Sequence, residues 1–106
     1  MKKIQPTNYS ALVLVRQNAF YQWLAGANRS AIADSDNHYE GDFGTYLVED
    51  LHTQEDVYRF IDNNYKTLLE NELREWHEPE FWPKVLSREV FVKFFEVQVH
   101  RQVYKI

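Results

Sequence analysis

A chain of 106 residues has room for one domain and one core, and its 44% hydrophobic content with seventeen aromatic residues excludes a disordered polar chain. The absence of cysteine excludes disulfides, thiolate metal sites and cysteine nucleophiles. A formal net charge of -4 argues against general nucleic-acid binding, which needs clustered Lys and Arg, and the longest uncharged apolar stretch, Ala11 to Val15, is far too short to span a bilayer.

The first residues, Met1 to Pro6, carry two lysines but neither a sustained apolar segment nor a small-residue cleavage site, so a secretory signal is not expected. Residues 9–16, Tyr-Ser-Ala-Leu-Val-Leu-Val-Arg, form a short and nearly continuous β-branched run. Such a run predicts a strand covered on both faces and central in its sheet. Asn18 is placed to cap a short helix, with Phe20, Trp23 and Leu24 on one side and an end at Gly26. Residues 27–42 are polar and without sustained periodicity, and they are expected to form a long loop that turns at Gly41.

Residues 43–49 predict a second strand, after which Thr53 caps a long helix with Glu55 and Asp56 in its first turn. Val57, Phe60, Ile61, Tyr65, Leu68, Leu69, Leu73 and Trp76 recur at three- and four-residue steps, so one apolar stripe runs from 54 to 77. Asn63 and Asn64 are poor helix formers at its middle and mark the expected bend. Pro79 and Pro83 break the helix, and Ser87 then caps a third helix whose apolar side is Val90, Phe91, Phe94 and Phe95. From Glu96 the period changes to two, with Val97, Val99 and Val103 on one side and Glu96, Gln98, His100 and Gln102 on the other. The order β-α-β-α-α-β predicts a single α/β domain of the α+β kind over residues 1–106, with a small antiparallel or mixed three-stranded sheet packed by helices.

Charge is unevenly distributed. Residues 49–80 carry ten acidic and three basic residues, a net of -7, whereas residues 81–106 carry two and five, a net of +3. The candidate partner-binding residues are accordingly Glu70, Glu72, Glu75, Glu78 and Glu80, an acidic helix surface suited to a basic protein partner. Lys84, Arg88, Lys93, Arg101 and Lys105 are expected to pair with Glu70, Glu72, Glu75 and Glu78 within the domain or across an oligomer contact. They do not form a continuous basic helix stripe of the kind that reads nucleic acid.

The spacing of His38, His52, His77 and His100 contains no helical chelating pair, so no metal and no cofactor is expected. The loop from Asp34 to Asp42 fails the calcium-loop register, because Tyr39 or Leu47 falls where glycine or glutamate is required. The catalytic alternative is a small hydrolase-like or ligand-binding enzyme built on His77, Glu78 and Glu80 beside Trp76 and Trp82, or on the His38 loop. That same corner, rich in Pro and Trp, is also the composition of a structural plug between helices. His100 shares a face with Gln98 and Gln102 and is expected to point to solvent, and a homodimer formed through that last strand is a further expectation.

Phe20-x-x-Trp23-Leu24, Tyr46-Leu47-Val48-Glu49, Asn64-Tyr65, Glu72-Leu73-x-x-Trp76, Trp82-Pro83 and Phe95-x-Val97-x-Val99-His100 together resemble a group of small uncharacterised bacterial proteins of about this length. The resemblance spans most of the chain and implies a bacterial, cytoplasmic setting. It brings no activity and no catalytic residue with it. The reading as a whole is a non-enzymatic interaction or regulatory module that uses an acidic helix surface.

Overall fold

The protein is described here by a computed structural model covering residues 3–27 and 42–106. In chain order its elements are β1 (Gln5–Pro6), β2 (Tyr9–Arg16), α1 (Asn18–Ala27), β3 (Gly44–Glu49), α2 (Gln54–Arg74), a 3₁₀ turn (Pro79–Phe81), α3 (Arg88–Phe94), β4 (Phe95–His100) and β5 (Tyr104–Lys105). The three-stranded sheet has the order β3-β2-β4, and both pairings are antiparallel. The fold is therefore a small α+β domain with β2 at its centre, as the apolar run of residues 9–16 predicts. The stretch from 28 to 41, which includes most of the expected long loop and its turn at Gly41, lies outside the described residues.

Alternation along the strands sorts the side chains into two faces. Ser10, Leu12 and Leu14 are buried beneath the helices, and Leu12 pairs with Tyr46 on one side and Val99 on the other. Ala11 and Val13 lie on the opposite face, where Leu47, the partner of Ala11, remains 60% exposed. The expectation of a strand covered on both faces is thus corrected: the helices pack on one face only. The half-burial of Ala11, Val13 and Val15 comes with neighbouring strands that place exposed Thr45, Gln98 and His100 beside them.

Phe20 is the hub of the core. It is fully buried, and its ring meets those of Trp23, Trp76, Phe94 and Phe95 at centroid distances of 5.4, 5.8, 5.9 and 5.6 Å. These distances lie in the range of favourable tilted and edge-on ring pairs. Leu68, Leu69 and Leu73 bring the long helix onto the same core, as their spacing requires. The N-terminus of α2 has a reciprocal capping box: the Asp56 amide donates to Thr53 Oγ1 at 3.1 Å, and the Thr53 amide donates to Asp56 Oδ2 at 3.0 Å. The two backbone donors of Thr53 and His52 hold the Asp56 carboxyl below its usual 3.8.

Several boundaries differ from those read in the sequence. The long helix closes at Arg74 rather than 77 and runs through Asn63 and Asn64 without interruption, the Asn64 side chain donating to the Phe60 carbonyl at 2.8 Å. At roughly 30 Å in length it fits the 47 Å long axis of the molecule without a bend. β4 ends at His100, and the chain then turns so that β5 pairs with β1 in a two-residue ribbon. Gln17 fastens the end of β2 to α3: its amide donates to the Phe94 carbonyl at 2.8 Å and its side chain to the Val92 carbonyl at 2.8 Å. Carbonyls left unpaired at a helix C-terminus are satisfied in this way.

Phe20→Ala removes the ring on which α1, α3 and the end of α2 converge, and the expected loss is about 3–5 kcal/mol in urea unfolding. A loss below about 1 kcal/mol would show that these elements do not share one core.

Candidate functional site

The five acidic candidates do not share a surface. At about 100° per residue, Glu70 is displaced around the helix from Glu72 and Glu75. Glu75, Glu78 and Glu80 are exposed and Glu70 is half-buried. Glu72 is only 6% exposed, so its assignment to an acidic surface is corrected: this carboxylate belongs to the interior.

Glu72 lies between β3 and α2. Tyr46 donates its hydroxyl hydrogen to Glu72 Oε2, and the Asn71 side-chain amide donates to the Tyr46 oxygen at 2.9 Å. The carboxylate also lies against Gly44, where a Cβ would collide with its oxygens. Glycine at 44 is therefore set by close approach, not by backbone conformation. Burial raises the Glu72 carboxyl above its usual 4.5, and Glu75 adds to the rise, while the Tyr46 hydrogen bond and the positive charge of Arg16 act against it. Burial and the same hydrogen bond push the Tyr46 hydroxyl upward, so it remains a donor. The Arg16 guanidinium lies 4.9 Å from the Phe43 ring centroid and 5.4 Å from that of Trp76, and it donates to the Asp42 carbonyl at 3.2 Å. Strand end, edge strand and long helix are thereby tied by one polar cluster.

The signal for Glu72 is present in the sequence. Position 72 stands four residues after Leu68, three after Leu69 and four before Trp76, which is on the apolar stripe itself.

Beyond Arg74 the chain forms the predicted corner. Trp82 Nε1 donates to the His77 carbonyl at 2.9 Å, and Trp23 Nε1 donates to the Phe81 carbonyl at 2.9 Å. The two tryptophans pin the 3₁₀ turn to the end of α2 and to α1. An open hollow of about 480 Å³ lies against this turn, lined by Glu75, Trp76, His77, Glu78 and Phe81 among others. The His77 ring packs 5.3 Å from Phe81 and 6.1 Å from Trp23, and its buried Nε2 has no hydrogen-bond partner. Neither Glu78 nor Glu80 is hydrogen-bonded to His77.

The C-terminal basic residues pair elsewhere, and the cation at this end of the helix is Arg74, which lines the hollow with its guanidinium 5.9 Å from the Trp82 ring centroid. Arg88 pairs with Asp62 at 2.7 Å, Arg59 lies near Glu55 and Asp56, and Arg101 Nε donates to the Leu51 carbonyl at 3.0 Å. Among the described residues, none of Glu70, Glu75, Glu78 and Glu80 has an ion-pair partner. The expected pairing of the C-terminal cations with Glu70, Glu72, Glu75 and Glu78 is thereby corrected for contacts within the domain. The reason is topological: α3 packs beside the first half of α2, within reach of Asp62 and away from the acidic end.

His52 is exposed, with Nε2 3.6 Å from Asp50, and His100 is exposed at the end of edge strand β4. Among the described residues there is no group of three or more His, Asp or Glu placed to hold a metal ion. The His38 loop falls outside the described residues. No described helix is long and apolar enough to cross a membrane. Compared with protein-family models, curated proteins and solved structures, the chain matches none of them.

A raised carboxyl makes stability depend on pH with a definite sign. The folded protein retains a proton that the unfolded chain has released, so the contribution of Glu72 is full below about 4.5 and is lost as pH rises through its folded value. Urea midpoints of the wild type are expected to decline relative to Glu72→Gln between about pH 4 and pH 7. Parallel curves over that interval would show that Glu72 titrates as a surface carboxylate.

Proposed function

We propose that the protein is a non-enzymatic interaction module whose corner at residues 75–81 receives a Lys- or Arg-rich segment of a partner protein, in a bacterial cytoplasm. The reading rests on one observation: Glu75, Glu78 and Glu80 are exposed and without a cationic partner among the described residues, beside an aromatic hollow. Carboxylates at the rim attract a cation, and the Phe81 ring, 46% exposed, offers it a second favourable contact. Partners of this kind are steered into place by charge and held by desolvated aromatic contacts. Glu72 takes no direct part, because its carboxylate is committed to Tyr46.

The catalytic alternative uses the same corner but asks more of it. A general base must be oriented by a neighbouring group, and His77 is flanked by rings, with neither Glu78 nor Glu80 bonded to it. Recognition of a cation needs only the carboxylates and rings already in place.

Titration of the ¹⁵N-labelled protein with an Arg-rich peptide is expected to move amide resonances between residues 74 and 82. Charge reversal at Glu75, Glu78 and Glu80 together should weaken binding by about tenfold or more, and added salt should weaken it in the wild type. Equal binding by the charge-reversed protein would remove this function from the corner.

A further inference from the structure

We propose that the groove between α2, α3 and β4 is a binding site for a single-chain amphipathic carboxylate of the medium-chain fatty acid class. The groove measures about 370 Å³, within the roughly 300–1,000 Å³ of small-molecule sites. Its base is apolar: Val57 and Ile61 come from α2, Phe91 from α3 and Phe95 from β4, and each is at most 5% exposed. Val97 and Val99 continue the floor along β4, while Tyr58 and Val92 stand on the two rims, each 56% exposed.

Both charged residues on the groove wall are arginines, and they sit at opposite ends. At one end Arg88 reaches across to Asp62 at 2.7 Å, an exposed bridge between α3 and α2 that engages that guanidinium. At the other end Arg101 is anchored through Nε to the Leu51 carbonyl, and its two terminal nitrogens have no partner among the described residues. A guanidinium held by one nitrogen presents its outer edge to a carboxylate in fixed geometry.

This asymmetry selects the occupant. The chain of such a ligand would lie along Val57, Ile61 and Phe91 toward the Arg88–Asp62 bridge, with its carboxylate at Arg101. The unpaired edge of Arg101 favours a carboxylate over an ammonium head group, and the buried apolar base favours a hydrocarbon chain beside it. The site is independent of the acidic corner: its residues come from the first half of α2 and from the net-positive C-terminal segment.

The test uses decanoate below its aggregation concentration as the probe, with amide resonances of the ¹⁵N-labelled protein as the readout. Saturable shifts are expected at Val57, Ile61, Phe91 and Val97. Decan-1-ol should bind the wild type about tenfold more weakly, because it lacks the charge-assisted contact at Arg101. Arg101→Gln should weaken decanoate by a similar factor, and Lys105→Gln should leave it unchanged. The proposal is overturned by absence of saturable shifts in the groove, or by decan-1-ol binding within about threefold of decanoate. The alcohol comparison requires no variant and so stands even if Arg101→Gln does not fold.

Discussion

The contact on which the arrangement of this domain turns is the one between Glu72, Tyr46 and Gly44. A carboxylate removed from water must be hydrogen-bonded or neutralised, and here it receives the Tyr46 hydroxyl, lies under the charge of Arg16 and fits against a residue without a side chain. The four residues come from three elements: Arg16 ends the central strand, Tyr46 and Gly44 belong to an edge strand, and Glu72 belongs to the long helix. Buried leucines of α2 would pack against the sheet at more than one position along the helix. The polar cluster accepts only one, because sliding the helix by a turn would leave a buried carboxylate without its donor.

That same contact divides the acidic segment into two populations. Glu72 faces inward as part of the scaffold, whereas Glu75, Glu78 and Glu80 project beyond the point where the helix ends. The first half of α2 is different again, since Arg59 and Arg88 lie beside Glu55, Asp56 and Asp62. Of the acidic residues in the net -7 segment 49–80, Glu75, Glu78 and Glu80 at the corner end have no ion-pair partner among the described residues, and Arg74 is the cation beside them. Of the five cations of the C-terminal segment, Arg88 and Arg101 line the groove at the other half of the helix. The long helix thus carries the glutamate-rich corner at one end and the groove with its two arginines along the other half.

Much of the fold was legible before any coordinates. The stripe of Val57, Ile61, Leu68, Leu69 and Leu73 specifies the helix, and Thr53 and Ser87 specify where helices begin, because capping is a local interaction. The central strand was legible from its apolar run, but its coverage was not. An apolar run records what a strand's side chains touch, and Ala11 and Val13 touch neighbouring strands on an otherwise open face. The β1–β5 ribbon, two residues long and containing Pro6, has no pattern to read. The Arg88–Asp62 pair joins residues far apart in the chain, so the site to which it contributes was invisible. Glu72 is the instructive case: a charged residue at a core position of the stripe signals a buried polar partnership, and counting it with the surface charge conceals it.

The most direct measurement is the titration of the Glu72 side-chain carboxyl by ¹³C NMR in the folded protein. Burial places its midpoint above the usual 4.5, against the lowering effects of the Tyr46 hydrogen bond and the Arg16 charge. A midpoint at or below 4.5 that does not move in Tyr46→Phe would show that Glu72 is neither desolvated nor bonded to Tyr46 and would contradict the account of how helix and strand are fixed.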